Sequence, residues 1–272
     1  MSVSPAQRWW DRARHAAGAC RTYVNPMTRF LDYLGRVPAG EVREVRLRNG
    51  LRVRARLGTS DLAIVDEVFA HGVYDRALRA LRPGDAVLDI GAQSGVFALA
   101  AAARGASVLC CEPIPENAAL LRENLRLNGV EDRVAVRPVA AAPEAGTMTL
   151  YVVDGDTGGA TAFPAIHPLW LEDGRMRRVE VECVTLDALL GARSDGVWDC
   201  VKLDCEGGEY AILGAAGAEA LRGVRALILE YHPNGDVADL ARLLEARGFA
   251  VEVSARPSIL WARSRAANGG AR

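Results

Sequence analysis

The stretch from Ala86 to Pro113, AVLDIGAQSGVFALAAAARGASVLCCEP, constrains this chain more than any other. Ala86 to Ile90 reads as a short buried strand, and Gly91 and Gly95 bracket a tight turn at its end. An apolar, alanine-rich helix follows to about Arg104, where Gly105 stops it. A second strand, Ser107 to Cys111, ends in an acid, Glu112. The pattern is a β-α-β unit with a glycine turn at the first strand end and a carboxylate at the second.

The glycine spacing separates the ligand classes that use such a unit. A dinucleotide site wants G-x-G-x-x-G, so that backbone amides and a helix N-terminus hold a pyrophosphate. Here the turn is Gly91-Ala92-Gln93-Ser94-Gly95, without the middle glycine, and Asp89 sits two residues before it. A buried negative charge at that strand tip opposes a pyrophosphate and suits a cationic ligand. S-adenosyl-L-methionine (SAM) carries a sulfonium, an ammonium and a ribose diol but no phosphate, and Glu112 is placed to accept hydrogen bonds from both ribose hydroxyls. A nucleotide ligand, or glycines that serve only helix–strand packing, are the competing readings.

Bulk properties narrow the class. With 272 residues, half of them hydrophobic, and a net charge of −1, a packed globule is expected rather than a disordered chain. No apolar run reaches the 18 or so residues of a membrane span, and no signal-peptide h-region precedes or follows Trp9-Trp10. The six cysteines form no C-x-x-C, so neither a zinc cluster nor a redox pair is indicated, and a reducing cytoplasm is the expected compartment. Residues 1–60 hold twelve arginines against four acids, a net +8 that leaves −9 on the remainder. A basic arm can bind nucleic acid, but arginines alternating with apolar residues read first as a solvated amphipathic surface. Lys202 is the single lysine.

Helical spacing over residues 4–36 predicts two helices divided at Pro26, and alternation from Glu41 to Leu57 about Asn49-Gly50 predicts a hairpin. Residues 1–60 are therefore expected as a helical arm and hairpin, serving as a cap, a lid or a homodimer contact. A helix is expected over Asp61–Leu81, broken near Gly72, with Glu67 and Tyr74 as candidates to reach a ligand. Beyond Glu112, the reading predicts a helix over Pro115–Gly129 and strands over Arg133–Ala140 and Thr147–Val153. An unpatterned loop holding His167 is expected over Asp154–Pro168, then a strand over Arg178–Leu186. A buried strand, Asp199–Cys205, and a helix, Glu209–Leu221, come next. A strand over Ala226–Glu230, a helix over Asp236–Arg247 and strands over Ala250–Val253 and Ser258–Ala262 complete the reading. Alternating strands and helices imply a doubly wound, mostly parallel α/β sheet. About four residues separate the last two strands, too few for a parallel return, so they are expected antiparallel. The main domain spans 61–263, and 264–272 is a frayed tail.

The stretches VFAHGVYDRAL, VLDIGAQSG, CEPIPENAALLRENLRLNG, VTLDALL, VKLDCEGGEYAILGA and LILEYHP together resemble the FkbM-type methyltransferases over about residues 66–233. The pairing of an EP-x-P-x-N stretch with a K-x-D-x-EG-x-E stretch is far more specific than the glycine turn. The resemblance implies a Rossmann-like class I methyltransferase sheet and SAM-dependent methylation, usually of a hydroxyl on a sugar or natural product. It suggests Asp89, Gly91, Gly95, Glu112 and Asn117 around the cofactor; Tyr74, Ala92, Pro113 and Asp204 complete the candidate cofactor set. Gln93, where an asparagine is common, and Thr157–Thr161, where serines are common, depart from the family pattern.

Ligands of open α/β sheets bind beyond the carboxyl ends of the strands. Asp89, Glu112, Asp204, Glu206, Glu230 and His232 all fall at such ends. An alcohol is a weak nucleophile and gains from a base within hydrogen-bond reach. His232 is the first candidate base because it titrates near neutrality. Asp204 is the second, or holds the SAM ammonium, and Glu206 completes the catalytic set. Lys202 and Glu230 are expected to pair. A hard cation could use Asp204, Glu206, Glu230 and His232, but their spacing has no metal signature, so none is assigned. A ribose methyltransferase with a Lys-Asp-Lys-Glu set needs two lysines. The expected partner is thus a small hydroxyl acceptor, with neither membrane nor nucleic acid. The alternatives are an RNA-modifying or nucleic-acid-binding protein working through the arginine arm, or a catalytically inactive SAM-fold scaffold.

Overall fold

A computed structural model describes residues 16–153, 156–164, 176–255 and 257–266. Its centre is a seven-stranded sheet in the order β12-β13-β11-β10-β3-β4-β5. These strands are β3 (Ala86–Ile90), β4 (Ser107–Cys111), β5 (Val134–Arg137), β10 (Cys200–Leu203), β11 (Ala226–Glu230), β12 (Phe249–Ala255) and β13 (Ser258–Ser264). β3, β4, β5, β10 and β11 run parallel, and β13 enters antiparallel between β11 and β12. β3 and β10 are wholly buried, as continuous apolar runs in a covered parallel sheet should be.

The chain leaves β3 toward β4 on one side and returns to β10 on the other. That reversal opens a crevice beyond the carboxyl ends of β3 and β10, the place where open sheets hold ligands. Helix α5 (Val96–Ala102) follows the glycine turn and is buried along its whole length, which explains its alanine content. Gly91 has φ +79°, and a Cβ there would lie 1.8 Å from the carbonyl oxygen of Asp204. Only glycine lets β3 and β10 deliver their loops so close together.

A second, four-stranded sheet, β6-β9-β7-β8, departs from the sequence expectation. Strand β5 stops at Arg137, because Pro138 cannot donate to the ladder. The chain then crosses to β6 (Ala140–Ala141), which pairs with β9 (Met176–Val184). β7 (Gly146–Val153) runs antiparallel to β9 and to β8 (Asp156–Thr161). Part of the expected loop is therefore a strand; His167 lies outside the described residues.

At the N-terminal side, residues 16–22 are helical (α1), followed by α2 (Pro26–Tyr33). Trp9, Trp10 and Ala13 lie outside the described residues. β1 (Val42–Arg46) and β2 (Arg52–Arg56) form an antiparallel pair. The inward side chains Val53, Ala55 and Leu57 are fully buried and share one apolar cluster with α5 and with Leu62 and Val65 of α3 (Asp61–Phe69). α4 (Asp75–Ala80) and α6 (Pro115–Asn128) follow the sequence reading. α7 (Leu186–Leu190) precedes α8 (Glu209–Ala215), which ends six residues short of the expected Leu221. There the Asp187 carboxylate takes the Gly217 amide at 3.0 and 3.1 Å, and the backbone turns away from the helix. α9 (Val237–Ala246) is capped by Asp236, whose side chain accepts from the Ala238 amide.

Candidate active site

The crevice is a cavity of about 280 Å³. Its floor is the exits of β3, β4, β10 and β11. The second sheet forms one wall through Ala140, Met148 and Leu150, and α3 covers it with Ala63, Ile64 and Glu67. Strand β8 crosses the cavity and is tied at both ends. Ser60 Oγ accepts from the Gly158 amide at 2.8 Å, and Thr161 Oγ1 donates to the Glu206 carbonyl at 2.6 Å. Gln93 and Glu206 both have φ +48°, the non-glycine residues with positive φ among those described, and both line the cavity. Backbone strain of this kind is concentrated at functional sites.

One end is built around Glu112, which is 4 % exposed. Its Oε1 accepts from the Ile114 amide at 2.9 Å and Asn117 Nδ2 at 3.3 Å, and its Oε2 accepts from the Gln93 amide at 2.9 Å. Burial pushes its carboxyl up to about 7, against the pull of those three donors. Two carboxylate oxygens, fixed in plane, match a vicinal diol.

The other end is acidic. Glu67, Asp204, Glu206 and Glu230 all line it, together with Tyr74 and Lys202. Tyr74 Oη stands 3.3 Å from both Asp204 Oδ2 and Glu230 Oε2. Its ring packs edge-on against Phe97 and lies beneath the Lys202 ammonium. Burial, then the Asp204 charge, pushes Glu67 up to about 7. Burial, Asp204 and Glu67 push Glu230 up to about 8.

The structure places the sequence candidates unevenly. Tyr74, Gly91, Ala92, Glu112, Pro113, Asn117 and Asp204 line the cavity, while Asp89 and Gly95 do not. Gly95 packs against Leu121. Asp89 is fully buried behind the wall, 3.2 Å from Lys202 Nζ. Lys202 also approaches Asp204 at 3.4 Å and donates to the Gly91 carbonyl at 3.0 Å. Burial alone would discharge this lysine, but Asp89 and Asp204 outweigh it and hold the ammonium charged. The expected Lys202–Glu230 pair is replaced by this triad, because Asp89 and Asp204 flank the amine more closely. The strand-tip acid is thus neutralised, and the acids that face the cavity are Glu67, Asp204, Glu206 and Glu230, of which Glu67 and Glu230 retain protons toward neutral pH.

His232 also departs from expectation. It stands outside the cavity wall, with Nε2 3.1 Å from Glu206 and Nδ1 3.1 Å from Glu209. Burial lowers its basicity, yet the hydrogen bonds its ring donates to Glu206 and Glu209 prevail and push it up to about 11. An imidazolium held between two carboxylates is a poor proton acceptor at neutral pH. Donor atoms of Asp204, Glu206 and His232 lie within 4.8 Å of one another, but both ring nitrogens are already engaged by carboxylates. Among the described residues, hairpin arginines likewise meet acids of the same chain: Arg43 pairs with Glu41, Arg54 with Glu123 and Arg56 with Asp61. Arg54 and Arg56 thus set two of the arm's excess positive charges against acids beyond residue 60, while Glu41 lies within the arm.

Comparison with known proteins decides the family. The model of the methyltransferase FkbM domain matches residues 89–251. The chain belongs to the FkbM methyltransferase family. It is 28 % identical over 239 residues to 31-O-demethyl-FK506 methyltransferase FkbM of Streptomyces tacrolimicus, covering 79 % of this chain and 92 % of that protein. It is also 28 % identical over 246 residues to AMB antimetabolite synthetase AmbE of Pseudomonas aeruginosa, covering 77 % of this chain and 12 % of that larger protein. Among solved structures, a SAM-dependent methyltransferase from Agrobacterium tumefaciens is similar at 14 % identity and a TM-score of 0.47, over 84 % of this chain and 72 % of that one. As an FkbM methyltransferase the chain uses S-adenosyl-L-methionine. The cavity suits this cofactor chemically: a buried carboxylate, Glu112, faces inward at the β4 exit, and among the described residues the cation in the lining, Lys202, is already engaged by Asp89 and Asp204. Among the described residues no helix is long and apolar enough to cross a membrane.

Sequence reasoning passed over Arg56 and Asp61, which lie outside the cavity but are bonded to its lining. Arg56 Nη2 donates to Asn117 Oδ1 at 2.8 Å, across sixty-one residues. No local pattern signals such a contact. The second sheet was missed for a similar reason: β8 contains Gly158-Gly159, which depress strand propensity.

Proposed function

We propose that this FkbM methyltransferase methylates a hydroxyl group of a sugar or natural-product small molecule. The observation that carries the reading is the acidic end of the cavity, where Tyr74, Glu67, Asp204 and Glu230 gather around one space. Carboxylates accept hydrogen bonds from hydroxyl donors, and they repel phosphorylated or carboxylated acceptors. The name of the Streptomyces relative, a 31-O-demethyl-FK506 methyltransferase, is consistent with a hydroxyl acceptor.

Bound SAM supplies an electrophilic methyl group. Glu112 and Asn117 hold the ribose end, and Asp204 faces the amino-acid end. Tyr74, bonded to Asp204 and Glu230, orients the acceptor oxygen, and Glu230 takes its proton. Its carboxyl, raised by burial and by its acidic neighbours, is matched to proton transfer near neutral pH. β8 and α3 exclude water, so alignment carries much of the acceleration.

The test is incubation of the protein with methyl-labelled SAM and fractionated small-molecule extracts, followed by linkage analysis of the labelled product. An O-methyl ether is expected; label on nitrogen or carbon overturns the reading. In parallel, SAM and S-adenosylhomocysteine should raise the melting temperature, and NAD should not.

A further inference from the structure

Five residues form a closed ring beside the Glu112 end of the cavity, four of its links between side chains and one through the Gln93 backbone amide. Arg56 holds Asp61 through Nε and Nη2, both at 2.9 Å, and the same Nη2 reaches Asn117 Oδ1 at 2.8 Å. Asn117 Nδ2 donates to Glu112 Oε1, and Glu112 Oε2 accepts from the Gln93 amide. Gln93 Nε2 then donates to Asp61 Oδ1 at 2.6 Å, which closes the ring. Arg56 comes from the hairpin, Asp61 from the start of α3, Gln93 from the glycine turn, and Glu112 and Asn117 from the β4 exit and α6.

The ring fixes two amides that could otherwise turn over. A guanidinium has donors only, so Arg56 compels Asn117 to present its oxygen to Arg56 and its NH2 to Glu112. Reversed, the Asn117 oxygen would face the Glu112 carboxylate. The Asp61 carboxylate accepts only, so it compels Gln93 to present Nε2, which leaves Gln93 Oε1 to accept from the Ser94 amide. That bond holds the turn whose Gln93 amide caps Glu112. Asp61 is 1 % exposed and Arg56 is nearly covered, so the pair acts where water competes little.

We infer that Arg56 and Asp61 are positioning residues for the cofactor ribose, acting through Asn117 and Gln93 to hold Glu112 in the plane its diol requires. The hairpin outside the central sheet is thereby part of cofactor recognition. The inference rests on Glu112 facing the ribose and is independent of what accepts the methyl group.

The experiment measures calorimetric affinity of the full chain for S-adenosylhomocysteine and for its 2′-deoxy analogue. Wild type should prefer the ribo ligand. Arg56→Met should weaken S-adenosylhomocysteine by about tenfold to a hundredfold, the range for a hydrogen bond to a charged group, and should weaken the 2′-deoxy analogue far less. Arg56→Lys keeps the charge beside Asp61 but cannot fork to Asn117. It should show an intermediate loss, and it carries the test if the methionine variant does not fold. In a Glu112→Gln background the Arg56→Met loss should vanish, since both changes act on one carboxylate. Equal losses for both ligands, or additive losses in the double variant, would overturn the positioning role. A wild type indifferent to the 2′-hydroxyl would overturn it together with the ribose assignment, while O-methyl linkage in the labelling assay would stand untouched.

Discussion

Glu230 and His232 stand two residues apart and are tuned in ways that assign them different work. Glu230 lines the cavity with a carboxyl near 8, and its charge is opposed by Asp204 and Glu67. Glu230→Gln should reduce kcat by a factor of about a hundred or more, with SAM affinity nearly unchanged. Wild-type kcat should rise with pH and level off above about 8, and the glutamine variant should lose that rise. His232, gripped by Glu206 and Glu209, should remain an imidazolium at pH 9, read from its ring 15N shifts. A midpoint near 6.5 would show the grip to be wrong. Both groups bind protons more tightly folded than unfolded. The His232 contribution to stability is therefore full below about 6.5 and declines as pH rises toward about 11. The carboxyls of Glu67, Glu112 and Glu230 act in the same sense between their ordinary value of 4.5 and about 7 to 8. Stability measured by urea unfolding should accordingly fall from mildly acidic to alkaline pH. The acids at the strand exits were legible in the sequence, because a parallel sheet delivers all its carboxyl ends to one edge. Their division of labour was not, since burial and the partners of each group come from segments far apart in the chain.

At the scale of elements, the central strands were readable as unbroken apolar runs, and the terminal hairpin followed from the short connection between its strands. The second sheet was obscured because its ladder joins Ala140 to Cys183, and β8 is weak in strand formers. The link between α2 and α3 was equally hidden. Arg29, 5 % exposed, meets Asp66 at 2.7 Å and Asp32 at 3.0 Å. Asp66 also accepts from Tyr23 Oη at 2.8 Å, and Asp32 holds the Gly58 amide at 2.6 Å. One guanidinium therefore ties α2 to the helix that covers the cavity and, through Asp66 and Asp32, to Tyr23 and the end of the hairpin. Arg29→Met removes the cation shared by two buried carboxylates and should cost about 3 kcal/mol in urea unfolding. Arg43→Ala breaks an exposed pair with Glu41 and should leave the urea midpoint where it is.

At the scale of the molecule, α3, the glycine turn and the second sheet converge on one cavity, and the hairpin, read from the sequence as part of a separate arm over 1–60, reaches its lining through Arg56 and Asn117. The cluster containing Val53, Leu62 and Phe97 spans the expected boundary at residue 60. The chain also commits its only ε-amine to the floor of that cavity, where Lys202 is 4 % exposed. An acylating reagent added to the intact protein consequently finds no lysine at the surface. Acylation of Lys202 needs both an opening of the cavity and loss of the ammonium proton held by Asp89 and Asp204, so a mass increment on its peptide should accumulate slowly, and more slowly still when S-adenosylhomocysteine fills the cavity. Arginine abundance elsewhere thus leaves this protein with one lysine reporter, seated in its own active centre.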